Sequence, residues 1–261
     1  MEPLSQFREP GTRVLLTDID GTLTHSGHLP AKSYERMEAL AQTKVDVIPV
    51  TGRPAGWCEL IARQWPVHGV IGENGAFYFR HDGEKMIRHF VRSREQRRKD
   101  RVRLREIRRQ VLREVPGARV ASDQFCRLFD LAIDFAEDVG PLSDQEVNRI
   151  VKVFSDHGAK AKVSNIHVNG WYGEYDKVST TFEYLKREFG WSRAEAQKTC
   201  AFVGDSPNDE PMFASFERSF AVANIEPFLD RLKHKPTYVS KGEEADGFCE
   251  LVDRLLVLQS R

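Results

Sequence analysis

Short apolar runs that end in polar turns recur along this chain, with amphipathic stretches between them. Val14-Leu15-Leu16, the apolar end of 44–50, Val67–Ile71 and Cys200–Val203 are the clearest runs. Such runs, bounded by turn residues, are the pattern of buried strands in a parallel sheet. Phe220–Ala223 and Thr237–Val239 add two further candidates. Between the runs, 31–43 carries Met37, Leu40 and Ala41 at helical spacing. A second helix starts at Pro54 and ends near Trp65-Pro66, because proline discourages helix just before it. Asp176 caps a third, with Val178, Phe182, Leu185 and Phe189 as its apolar positions and Gly190 as its stop. A helix over 248–258 closes the chain. Strands alternating with helices predict an α/β fold.

The middle of the chain breaks this rhythm. From about His81 the composition shifts, and 88–113 is dense in arginine with Val102, Leu104, Ile107, Val111 and Leu112 roughly on one face. That predicts an amphipathic helix with a basic exposed side. A strand over 128–135 follows, then a helix from 143 to 154 with Ser143 as N-cap and Glu146 three residues on. Segments 159–164 and 166–171 read as two short strands. Helix, strand, helix and strand pair make a small α+β layer. The expected organisation is a core over 1–80 and 175–261 with an inserted domain over 81–174. Residues 1–13 read as a loose leader.

Composition narrows the classes of function. With 39 basic and 39 acidic residues among 261, the formal net charge is +0 and no global field recruits nucleic acid or membrane. No apolar run approaches the ~18–20 residues of a membrane span. The first residues are polar, without the apolar core of a secretion signal. Cys58, Cys126, Cys200 and Cys249 lie far apart with no metal-type spacing, which fits reduced, buried thiols and a cytoplasmic protein. Glu95, Asp100 and Glu106 interrupt the basic helix, and aromatics are not interleaved in it. It reads as a solvated face, and no nucleic-acid partner is expected.

The chemistry-bearing residues sit where the apolar runs stop. Val14–Leu16 runs into Thr17-Asp18-Ile19-Asp20-Gly21-Thr22. Alternation along a strand sends Asp18 and Asp20 out on one side of its carboxyl end, where open α/β sheets bind ligands. Two anions so close need a cation between them or a shared proton. The second run stops at Thr51-Gly52-Arg53-Pro54, where a hydroxyl and free backbone N–H groups at a helix start can hold an anion. Arg53 either adds charge there or lies at the surface. Gly72-Glu73-Asn74-Gly75-Ala76 is a turn, with 77–79 as a following strand. Lys177, in the first turn of its helix, opposes the helix dipole and needs something to offset it. Cys200–Val203 ends in Gly204-Asp205-Ser206-Pro207-Asn208-Asp209, a second cluster of carboxylates at a strand end. In the inserted segment, Asn165, His167, Asn169 and Trp171 suit a polyol, or are simply a polar strand face. His25 and His28 lie in a turn-rich loop where either could touch substrate or water.

Asp18-Ile19-Asp20-Gly21-Thr22 resembles the first motif of the haloacid dehalogenase superfamily, and Thr51-Gly52-Arg53-Pro54, Lys177 and Gly204–Asp209 resemble its other motifs in the expected order. The resemblance implies a Rossmann-like, doubly wound parallel-sheet core with an inserted α+β cap of subclass IIB. It makes Asp18 the nucleophile, Asp20 the acid/base, Thr51 a hydrogen-bond donor to the phosphoryl group, and Lys177 the tie between nucleophile and phosphoryl oxygens. Asn74 then borders the site, in the loop where the chain leaves for its cap. Mg²⁺ is the implied cofactor, held by the Asp18 and Asp205 carboxylates and the Asp20 carbonyl, as a hard cation favours oxygen. Gly52, Asn208 and Asp209 would support metal or phosphate. Within the family, dehalogenases lack an acid/base at the second aspartate and ion-pumping ATPases have threonine. Asp20 therefore points to a phosphatase of a small phosphorylated metabolite, a sugar phosphate first of all. A phosphomannomutase-like mutase is the same-site alternative. A nucleic-acid-binding or regulatory module on the basic helix is the alternative from another class.

Overall fold

In a computed structural model that describes residues 1–259, the strands are β1 (Glu2–Pro3), β2 (Val14–Thr17), β3 (Asp46–Pro49), β4 (Val70–Gly72), β5 (Phe77–His81), β6 (Met86–Phe90), β7 (Arg119–Val120), β8 (Leu131–Asp134), β9 (Lys160–Val163), β10 (His167–Trp171), β11 (Cys200–Gly204), β12 (Arg218–Ala221) and β13 (Tyr238–Val239). The helices are α1 (Ala31–Ala41), α2 (Ala55–Gln64), α3 (Arg94–Glu114), α4 (Asp144–Asp156), α5 (Lys177–Phe189), α6 (Arg193–Thr199), α7 (Glu210–Phe213) and α8 (Glu244–Gln259). The last two positions of the second core segment lie outside the described residues.

A parallel sheet runs β1-β13-β12-β11-β2-β3, and a bridge from Val50 to Ile71 carries it on to β4. Alternation along β2 decides which helices cover which face. Leu15 joins one apolar layer with Val47, Ala201 and residues of α1, α2 and α8, such as Met37, Ile61 and Phe248. Val14 and Leu16 join the other, with Ile48, Phe202 and Tyr184, Ala196 and Met212 from α5, α6 and α7. Helices on both faces of a parallel sheet are the doubly wound arrangement, and they bury the strands on both sides. β2 and β11 carry the carboxylates at the centre of this sheet, so their turns open side by side at its carboxyl edge.

A second sheet, β7-β8-β10-β9, is antiparallel throughout and is backed by α3 and α4 around Leu104, Ile107, Ile133, Ile150, Phe154 and Val168. Both helices open on complete capping boxes, Ser93 with Gln96 and Ser143 with Glu146. No helix among the described residues is long and apolar enough to cross a membrane.

Three expectations need correction. The leader is not loose: β1 pairs with β13, Leu4 and Phe7 are buried, and Phe7 packs edge-on against Phe220. Two apolar side chains are enough to tie down a polar-looking terminus. The basic helix starts at Arg94, not at 88, because 86–90 forms β6 against β5, and Ser93 ends that excursion by capping α3. The core hairpin β5–β6 therefore spans the boundary expected at 81. On α5 the buried stripe is Thr180, Thr181, Tyr184 and Leu185, while Val178, Phe182 and Phe189 are only partly buried. The hydroxyls of Thr180 and Thr181 bond to the carbonyls of Gly75 and Lys177, which lets polar side chains fill that face.

Candidate active site

Three strand ends converge. Asp18 follows β2, Thr51 follows β3, and Asp205 follows β11. One oxygen from each of Asp18, Asp205 and Asp209 lies within 4.8 Å of the others, and all three residues are buried. Gly21 (φ +77) makes the turn that permits this, since a Cβ there would run into the Asp205 carboxylate. Asn224 closes the turn from the far side, donating to the Gly21 carbonyl at 3.0 Å and to Asp205 Oδ2 at 3.1 Å.

Lys177 enters the cluster from the first turn of α5. Asp176 caps that helix through the Ser179 N–H, and the turn at Gly75 packs against the Asp176 backbone. Lys177 Nζ donates to Asp18 Oδ1 at 2.8 Å, Asp209 Oδ1 at 2.8 Å and Asn208 Oδ1 at 3.1 Å. These acceptors offset the dipole. Burial opposes the ammonium, but Asp18 and Asp209 outweigh it and hold its pKa above the ordinary lysine range. Burial, with the neighbouring acids, pushes Asp18 up to about 7 against the pull of Lys177. Burial raises Asp205 far above the carboxylate range as well.

The cluster fits a divalent cation. With all three carboxylates ionised, one ammonium would leave two negative charges in a buried site, and among the described residues Asp205 Oδ1 has no hydrogen-bond partner. Buried charge without a partner is costly, and all-oxygen donors of this kind suit Mg²⁺.

Asp20 leaves the strand end on the cavity side and is gripped by Arg53, through Nε at 2.9 Å to Oδ2 and Nη2 at 2.7 Å to Oδ1. Arg53 is therefore not a surface residue. It is buried over the Trp57 ring, and its Nη1 reaches Glu137 Oε1 at 3.1 Å. Glu137 Oε2 lies 2.9 Å from His167 Nε2, close enough for ion pairing but without the alignment of a hydrogen bond. Asn165 comes down on the cluster itself, its Nδ2 3.5 Å from Asp205 Oδ2.

Asp18, Asp20, Gly52, Arg53, Asn74, Asn165, His167, Asn169, Lys177 and Asn208 share the lining of one cavity of about 400 Å³. Asp205 and Asp209 lie beneath its floor, and Thr51 is fully buried, its Oγ1 accepting from the Arg53 N–H at 3.0 Å. Asn74 holds a left-handed backbone (φ 57), donates its N–H to the Thr51 carbonyl at 3.0 Å, and lies where a side chain on Gly52 would press on it. Asn169 spends its amide on Asp130 at 2.9 Å, and Trp171 is buried against Tyr175, lining not this cavity but a small adjoining one of about 40 Å³ shared with Asn74, Lys177 and Asn208. His25 pairs with Glu244, and neither His25 nor His28 lines the cavity.

Sequence reasoning missed Glu73, Arg127, Glu137, Lys162 and Asn224. Arg127 and Glu137 line the cavity from the inserted segment, as does the exposed Lys162. Arg127 also donates to the Gly52 carbonyl at 3.0 Å. The acidic stretch Asp134–Asp138 was the one signal for Glu137; Asn224 had none.

A doubly wound sheet with buried acids and a lysine at its carboxyl edge, roofed by a second sheet, is an arrangement able to hold a cation and an anionic substrate together. The comparisons with known proteins agree. Residues 15–98 match the model of the haloacid dehalogenase-like hydrolases. The chain is 31% identical to a phosphoglycolate phosphatase of Pyrobaculum neutrophilum, over 94% of this chain and 96% of the relative. It is 27% identical to a phosphoglycolate phosphatase of Archaeoglobus fulgidus, over 95% and 98%. The crystal structure of a Thermoplasma acidophilum protein superposes with a TM-score of 0.73 at 20% identity, covering 95% of this chain and 99% of that one. The chain belongs to the haloacid dehalogenase-like hydrolases, and it is a phosphatase.

Proposed function

We propose that this protein is a Mg²⁺-dependent phosphatase that hydrolyses a small phosphorylated metabolite through an aspartyl-phosphate on Asp18. The observation that carries this reading is the Asp18–Lys177 contact at 2.8 Å beside the unpartnered Asp205 oxygen. Mg²⁺ held by Asp18, Asp205 and the Asp20 carbonyl would neutralise the dianionic phosphate facing the nucleophile. Asp18 attacks phosphorus while Lys177, Thr51 and nearby backbone N–H groups hold the equatorial oxygens. Asp20 gives a proton to the departing alkoxide, then takes one from the water that hydrolyses the acyl phosphate. Asn208 and Asp209 keep Lys177 in place. The inserted segment that follows the β5–β6 hairpin acts as the cap, excluding bulk water from the cavity.

Phosphoglycolate is the first substrate we propose, because both curated relatives that match over nearly the whole chain carry that name. Sugar phosphates are the second reading, favoured by a cavity larger than a two-carbon acid fills and by Asn165 in its wall. Three buried free cysteines and one partly exposed one fit the cytoplasm as its location. A panel of phosphoglycolate, sugar phosphates and nucleotides should give Mg²⁺-dependent release of phosphate, fastest from phosphoglycolate. Isomerisation of a sugar monophosphate, with a bisphosphate required and little phosphate freed, would make it a mutase instead.

A further inference from the structure

We propose that Glu137 is a positioning residue for Asp20, acting from the inserted segment through Arg53. The proposal rests on the reading of Asp20 as acid/base. Among the described residues, Asp20 has no side-chain hydrogen bond other than those from Arg53. Its own side chain is about one-third exposed, at 34%, so nothing else fixes its rotamer. Arg53 in turn is fixed at three points. Asp20 takes Nε and Nη2, the Trp57 ring lies 4.4 Å beneath, and Glu137 takes Nη1. A guanidinium is a rigid planar fork, so holding its far end sets the angle of its near end.

Glu137 is itself held by its surroundings. Asp134, buried at the end of β8, accepts the backbone N–H groups of Ala136, Glu137 and Asp138 at 3.0, 2.8 and 2.9 Å. That makes a stiff turn with Glu137 at its tip. His167, on the adjacent strand β10, lies against the other carboxylate oxygen. His167 first, and then Arg53 itself, hold the Glu137 carboxyl well below its ordinary range at about 2, so it is an anion against the guanidinium. The chain of contacts Asp134–Glu137–Arg53–Asp20 thus runs from the second sheet to the first. The orientation of the acid/base depends on the inserted segment being seated on the core.

The test separates positioning from a merely structural role by the leaving group. A poor alkoxide leaving group needs a well-placed proton donor, and 4-nitrophenolate departs without one. The quantity is kcat/KM, which reports the steps up to phosphoryl transfer to Asp18. Glu137→Gln should lower kcat/KM on phosphoglycolate by about tenfold or more, part of the ~10²–10⁴ a positioned acid supplies. On 4-nitrophenyl phosphate it should change it less than about threefold, since no positioned acid is needed there. Arg53→Lys keeps the charge, loses the fork, and should show the same signature. In an Asp20→Asn background Glu137→Gln should add nothing, because its effect runs through Asp20. Equal losses on both substrates, no loss on either, or additivity with Asp20→Asn would overturn the proposal. If Asp20→Asn alone shows no leaving-group dependence, the acid/base reading itself has failed, and that is seen before any Glu137 variant is made.

Discussion

Asp18 and Lys177 stand 159 positions apart in sequence and 2.8 Å apart in space. Each was legible alone, Asp18 as an acid at the end of an apolar run and Lys177 as a lysine at odds with its helix dipole. Their partnership came only through the family resemblance. Arg53 could not be placed from sequence, because what decides between surface and site is Glu137, 84 residues on. At this scale the sharpest expectation concerns Asp18→Asn. An amide does not attack phosphorus, so turnover should fall to a trace. The fold should survive, because the change removes one of three mutually repelling buried carboxylates while Lys177 keeps Asp209 and Asn208. Steady-state turnover beside far-UV circular dichroism checks both halves, and retained turnover in a folded variant would refute the aspartyl-phosphate route.

Elements were easier to read than contacts. β2 and the α4 capping box stand where the apolar pattern and Ser143–Glu146 put them, since both signals are local. What failed was non-local or masked. Phe7 is held by Phe220 and Tyr238, far along the chain. The strand β6 hides inside an arginine-rich stretch because Arg88 meets Glu59 on α2 rather than following a helix. The joint between the two sheets was likewise invisible. There the buried Glu73 carboxylate accepts four backbone N–H groups, from Ala55 at the start of α2 and from Leu128, Phe129 and Asp130 leading into β8. Glu73→Gln replaces one acceptor oxygen with an NH₂ that faces donors. Losing two bonds to a buried carboxylate should cost about 3–6 kcal/mol in urea unfolding, at ~1.5–3 kcal/mol per charged hydrogen bond. A cost below about 0.5 kcal/mol, the level of a neutral surface change, would mean the joint is held by packing alone.

The whole molecule is a core with too much negative charge for its burial, and that shows in its response to pH. Asp18 has its folded-state pKa raised to about 7 from 3.8, by burial first and by its acidic neighbours, while the unfolded chain ionises it in the ordinary range. Between about pH 4.5 and 7 the metal-free folded protein therefore holds a proton that the unfolded chain has lost, and stability falls as pH rises. Glu73, raised to about 7 by burial and by Asp130, adds to the same slope. His68 and His89 oppose it, since burial lowers their pKa and their neutral folded forms gain stability as pH rises through the ordinary histidine value. Comparing wild type with Asp18→Asn cancels Glu73 and the histidines and leaves the nucleophile together with its effect on Asp205, whose pKa Asp18 helps to raise. In chelator, Asp18→Asn should gain on wild type by up to about 1.4 kcal/mol per pH unit across this window. Saturating Mg²⁺ should reverse the order near pH 7, because the ion stabilises the folded wild type whose Asp18 is ionised. Urea unfolding of both proteins at pH 5, 6 and 7, with chelator and with Mg²⁺, measures this. A pH-independent gap in chelator would mean that Lys177 holds Asp18 ionised throughout, and that the cluster carries its charge without a metal.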